Sequence, residues 1–134
     1  MRALLALTIG GALLVGACGS ASGGGTIHVT LKATGITLDQ SAVNAGTVVF
    51  DVKNAGTIIH EFVVIKTDVA QDKLPASTGE PGQMLEDGSV GEVEDVEVGA
   101  SKQLSIKLEP GKYVLICNLV GHFAAGMHVG FVVK

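Results

Sequence analysis

The 134-residue chain is poor in several things, and each shortage excludes a class of protein. It has three prolines, too few for a proline-rich linker or stalk. Beyond the first residues it has no run of apolar residues long enough to cross a bilayer and no long stretch of 3.6-residue periodicity, which argues against a helical bundle. Basic residues are few: from Cys18 onward eight lysines face thirteen acids, with no basic stripe, so nucleic acid is not an expected partner. Histidine never occurs as His-x-His, the pairing that a trinuclear copper oxidase would need. Finally there are only two cysteines, and their positions rule against a disulfide framework.

The first of those cysteines belongs to an N-terminal leader. Met1-Arg2 gives a positive start, and Ala3 to Ala17 is uncharged and ends in small residues, the layout of a secretory signal over 1–17. As a helix that run would reach about 22 Å, short of the ~30 Å hydrocarbon core. Val15-Gly16-Ala17-Cys18 resembles the lipobox of bacterial lipoproteins, in which the cysteine is lipidated and becomes the new N-terminus. Residues 18–25 then read as a lipidated cysteine and a Gly/Ser-rich flexible tether. The reading implies an exported domain, periplasmic or extracellular, held to a membrane by lipid on Cys18. Cys117 is then alone in the folded domain, and a lone thiol in an exported domain suggests metal ligation.

Residues 26–134 are long enough for one core. Ile27, Val29 and Leu31 alternate with polar residues, as do Val48, Phe50 and Val52, a pattern of half-buried strands. Asn54-Ala55-Gly56 marks a turn before a strand over Ile58–Ile65 that carries His60 and Phe62. Lys66 to Gly88 reads as a long connection, with room for a helical turn. Leu104, Ile106 and Leu108 alternate up to the turn Glu109-Pro110-Gly111, Tyr113 to Cys117 reads as a central strand, and Val129, Phe131 and Val133 as the last. The expectation is an all-β sandwich of about six to eight strands. Six acids between Glu86 and Glu97 read as a solvated loop and strand face, or alternatively as a docking patch for a basic partner.

The most informative window is Cys117-Asn118-Leu119-Val120-Gly121-His122-Phe123-Ala124-Ala125-Gly126-Met127. A thiolate, an imidazole and a thioether stand at five-residue steps. A strand would point them to alternate faces and a helix would spread them about 140° apart, so a loop must gather them. Gly121 and Gly126 give that loop backbone freedom. Two histidines and a cysteine with a weak axial methionine satisfy both Cu(I) and Cu(II) with little rearrangement. The second histidine must come from elsewhere, and His60 at a strand start is the natural supplier. His28 and His128 fit less well: one has a solvent-facing phase, the other points away from Met127.

This window resembles the C-terminal ligand loop of the cupredoxins, the type 1 blue copper proteins, and is nearest their rusticyanin and sulfocyanin side. Asn54-Ala55-Gly56 with His60-Glu61-Phe62-Val63-Val64 is similar to their first-ligand segment. The resemblance implies a Greek-key β-sandwich and one copper ion held by His60, Cys117, His122 and Met127. It also implies a monomeric one-electron carrier, not an enzyme, that serves protein redox partners. Electrons would pass through His122, its ring edge set among Ile58, Val120, Phe123 and Ala124. Two positions depart from the pattern. Glu61 stands where many relatives have asparagine, so a backbone N–H would have to serve the Cys117 sulfur. Val120 stands where rusticyanin-like loops often have proline, leaving the loop less stiff. Three other readings use parts of the same sequence: a copper-delivery or buffering protein, a zinc site, and a metal-free adhesion sandwich.

Overall fold

The computed structural model describes residues 23–134. The signal segment 1–17, Cys18 and most of the tether lie outside the described residues. Nine strands follow one another: β1 (Gly24–Lys32), β2 (Gly35–Leu38), β3 (Ala42–Val43), β4 (Gly46–Asn54), β5 (His60–Lys66), β6 (Ser89–Val96), β7 (Ser101–Leu108), β8 (Gly111–Ile116) and β9 (His128–Val133). They form a four-stranded sheet of order β2-β1-β4-β7 and a five-stranded sheet of order β3-β9-β8-β5-β6, so the chain crosses repeatedly from one sheet to the other. β1–β4 and β3–β9 pair in parallel, the rest antiparallel. The all-β sandwich expected from the alternating segments is the observed fold.

The strands read by alternation do bury every second residue. Ile27, Val29 and Leu31 of β1 and Val48, Phe50 and Val52 of β4 all face the core between the sheets. Phe50 sits at its centre, 5.3 Å from the Phe62 ring and 5.6 Å from that of Phe131. Offset and edge-on aromatic contacts of this kind add to the burial of apolar area. β5 and β8 behave differently, with apolar residues on both faces. Val63, Ile65, Val114 and Ile116 form a second, outer cluster with Leu74 from the connection after β5 and Phe123 from the loop before β9. The near-continuous apolar run of Tyr113 to Cys117 follows from this, because both faces of β8 are covered.

Several boundaries differ from the sequence reading. Gly24 and Gly25, read as the end of the tether, are in β1 and pair with Thr47 and Val48. A side chain at Gly24 would lie 1.9 Å from the Thr47 carbonyl oxygen, so glycine is what lets the two main chains run that close. β5 starts at His60, and Ile58 lies in an exposed bend before it. The connection from Thr67 to Gly88 holds no helix; it makes turns and one isolated bridge, Ala76 to Met84. The acidic run contains the edge strand β6.

β6 also carries a bulge beside the loop end that matters below. His60 pairs with Val96 and Phe62 with Val93, so Glu94 and Asp95 together oppose Glu61. Asp95 takes φ 48°, a left-handed conformation that aspartate tolerates better than most residues. Bulges bend a strand and re-aim its side chains, and this one flanks the start of β5.

Candidate metal centre

His60 and Cys117 reach the same end of the sandwich from neighbouring strands. His60 opens β5 after the bend 55–59, and that bend is held by Asn54, the last residue of β4. The fully buried Asn54 side chain donates to the carbonyls of Ile58 (2.8 Å) and Val96 (2.7 Å) and accepts from the Gly56 N–H (2.8 Å). Cys117 follows β8 directly. The loop from Cys117 to Met127 then closes on itself, with the Cys117 N–H donating to the Met127 carbonyl at 3.1 Å. Inside it, His122 N–H bonds to Leu119, Ala125 to Gly121, Gly126 to Phe123, and Met127 to His122. Gly121 (φ 81°) and Gly126 (φ 103°) occupy the left-handed turns that such a compact loop needs.

The loop brings three donor atoms together. The Cys117 sulfur lies 3.2 Å from His122 Nδ1 and 3.9 Å from His60 Nδ1, and the two Nδ1 atoms are 3.3 Å apart. A triangle with these sides has a point about 2.0 Å from every corner, a distance typical of first-row metal–nitrogen bonds and slightly short for metal–sulfur. Two imidazole nitrogens and a sulfur that converge on one point within bonding distance are a borderline-soft donor set, so the residues fit a metal. His60 and Cys117 are buried and His122 half-buried. Met127 is fully buried at the loop's far end, tied through its backbone to both Cys117 and His122. A His₂Cys set accompanied by methionine selects copper over zinc, because the thioether suits the softer ion. His60, Cys117, His122 and Met127 are arranged as a type 1 copper site.

The surroundings tune these groups. Burial, and next the charge of His122, hold the His60 imidazole below its ordinary 6.5, so its nitrogen is free to ligate at neutral pH. Burial pushes the Cys117 thiol up from 9.0; the Glu61 and Leu119 N–H groups pull it back, and the Glu61 carboxylate adds to the rise. The Glu61 N–H stands 3.4 Å from the sulfur, so a backbone donor does take the place of the missing asparagine. Burial also raises the Glu61 carboxyl; the Asn118 N–H opposes this, and Glu86, Glu92 and Glu94 reinforce it. With Glu80, these carboxylates line an acidic cleft beside the site.

Of the four residues expected to rim His122, three are exposed and one is not. Ile58 (47% exposed), Val120 (68% exposed) and Ala124 face solvent. Phe123 does not: it is buried in the outer cluster, its ring centroid 4.7 Å from that of His128. Its ring packs with Leu74, from the connection after β5, against Val63, Ile65, Val114 and Ile116. His28 is exposed, 3.3 Å from Asp51, and neither it nor His128 joins the donor cluster. Sequence reasoning missed Asn118, which is buried and spends its side chain on Met84 and Glu86. Its position directly after Cys117 was the only signal, and its partners lie more than thirty residues away.

Comparison with known proteins agrees with this geometry. The family model described as a Cupredoxin-like domain matches residues 4–129. Among solved structures, auracyanin from the photosynthetic bacterium Roseiflexus castenholzii superposes with a TM-score of 0.58 at 21% identity, covering 85% of this chain and 98% of its own. Reduced rusticyanin gives 0.61 at 20% identity, over 81% of this chain and 79% of its own. Rusticyanin from Thiobacillus ferrooxidans gives 0.59 at 19%, over 81% and 77%. At such identities the likeness establishes the fold. No curated protein sequence matches the chain. With the family match spanning nearly all of the sequence, the chain belongs to the cupredoxin-like family.

Proposed function

We propose that the protein is a mononuclear type 1 copper protein that carries single electrons between redox partner proteins outside the cytoplasmic membrane. The observation that supports this most strongly is the convergence of His60 Nδ1, Cys117 Sγ and His122 Nδ1 within one coordination sphere. Bound copper would supply the Cu(II)/Cu(I) couple. The residues do the rest. His60 is fixed by the Asn54-braced bend and Cys117 by β8, so the donors keep their places whichever oxidation state they hold. The Glu61 N–H partly offsets negative charge on the sulfur. His122 is half-buried where the other three ligands are buried, so it is the ligand nearest solvent and serves as the electron port, with exposed apolar Val120 two residues before it and Ala124 two after. A small apolar rim of this kind suits brief docking, since it offers contact area without strong charge pairing.

The same reading places the domain on a lipid anchor at Cys18, on the periplasmic or extracellular side, and is supported by the Val15-Gly16-Ala17-Cys18 box. The chain would act as a carrier and not as an enzyme. Redox titration of the copper-loaded full chain tests the function. A reversible one-electron wave, with copper retained over repeated cycles, is the expected result. Ready loss of copper to a modest chelator in either state would favour delivery or buffering instead.

A further inference from the structure

The ligand loop owes little stiffness to its own sequence, with valine at 120 and glycine at 121 and 126. Besides its own backbone hydrogen bonds, it is supported by another part of the chain. Within the connection after β5, residues 75–85 fold into a small hairpin: Ser77 N–H donates to Gln83 (2.9 Å), Leu85 N–H to Pro75 (2.8 Å), and Ala76 bridges Met84. Leu74 and Met84 root this hairpin in the outer cluster, the same cluster that takes Phe123 from the ligand loop. Beyond it, Ser89 N–H bonds to the Glu86 carbonyl at 2.8 Å and leads the chain into β6.

The hairpin and the ligand loop are joined at several points. Asn118, 3% exposed, accepts the Met84 N–H at 2.7 Å and donates to the Met84 carbonyl at 3.0 Å, pairing with both polar groups of one residue as a strand neighbour would. Its amide also donates to Glu86 Oε1 at 2.7 Å. Further along, Gly121 N–H bonds to the Gly82 carbonyl at 2.9 Å. Val120 lies over Gly82, where an added Cβ would come 2.8 Å from Val120 Cγ1. These contacts fall within the stretch between two metal-site residues, Cys117 and His122.

We propose that the 75–85 hairpin is a splint for the ligand loop, and that Asn118 is the positioning residue that couples them. It holds the spacing between Cys117 and His122 before any metal arrives. The idea builds on the copper reading for its purpose, but its physical content concerns the metal-free chain. A buried amide that satisfies an N–H and a carbonyl at once is costly to remove, since truncation leaves both without partners. The loss should be felt locally, because the joint lies outside the main core and the sandwich does not depend on it.

The test is amide hydrogen exchange on the metal-free full chain, comparing the native protein with Asn118→Ala and Gly82→Ala. The second variant leaves Asn118 intact but strains the hairpin, since Gly82 holds φ 88° and an added Cβ would crowd Val120. In both, the amides of Gly121, His122 and Met127 should exchange about tenfold faster, while those of β1 and β4 stay within about twofold. In the copper-loaded variants the visible and paramagnetic spectra should shift, and copper should pass to a chelator about fivefold faster than from the native protein. Uniform acceleration across the molecule would mean a merely structural asparagine and overturn the proposal. So would unchanged exchange at Gly121 and His122. If the native chain took up no copper while the local exchange pattern held, the splint would stand and the copper reading would fall.

Discussion

Uptake of Cu(I) should release one proton from the Cys117 thiol, and this sets a measurable slope. The thiol is fully buried and its pKa lies above 9.0, raised chiefly by loss of solvation and by the Glu61 carboxylate. His60 is held below 6.5 by burial and by His122, so it is already neutral at and above pH 7. Between pH 7 and 8.5 the metal-free site therefore keeps the thiol protonated, and the metal must displace that proton to gain the thiolate. One proton per ion makes affinity rise about tenfold per pH unit, roughly 1.4 kcal/mol, and about thirtyfold over the interval. Anaerobic competition against a Cu(I) chelator, corrected for the chelator's own protonation, reads this directly. A flat profile would refute the reasoning, because it would mean that no thiol proton is exchanged for metal. Cys117→Ser should lose both the slope and most of the affinity. The same shifts bear on the metal-free fold. The raised thiol favours folding fully below pH 9.0 and loses that contribution as pH rises above it, whereas lowered His60 loses its contribution as pH falls below 6.5.

Met127→Leu should retain copper and raise its potential, read by redox titration; loss of all binding would contradict an axial role for the thioether. Glu61→Gln removes a carboxylate whose pKa burial raises, so its ionised form is disfavoured in the fold. The variant should be more stable to urea at pH 7, with the gain vanishing below about pH 4.5, where the native carboxyl is protonated in both states. Its copper form should also show a higher potential, since a negative charge that favours Cu(II) is gone. Phe50→Ala, at the meeting point of Phe62 and Phe131, should cost about 3–5 kcal/mol in denaturant unfolding; a cost under 1 kcal/mol would mean that the core relaxes around the lost ring.

Much of this molecule is legible in its sequence for definite reasons. β1 and β4 alternate because one face meets the core and the other water, and the period survives in Ile27-Val29-Leu31 and Val48-Phe50-Val52. Cys117, His122 and Met127 are legible because a single loop holds them all, so their chemistry is a local pattern. His60 could be added because it follows a turn signal at the head of a strand. Other features leave no local trace. β2 and β3 have four and two residues, too few to show a period. β6 is a bulged edge strand whose acids mask its pairing. The inward turn of Phe123 and the grip of Asn118 on Met84 both depend on a connection that folds back from far along the chain.

Visible absorption and electron paramagnetic resonance of the Cu(II)-loaded full chain, taken beside Cys117→Ser, test whether the two imidazoles, the sulfur and the thioether bind one copper together. An intense thiolate-to-copper band in the native protein, absent from the serine variant, is the predicted result. A weak spectrum that is the same in both proteins would contradict it.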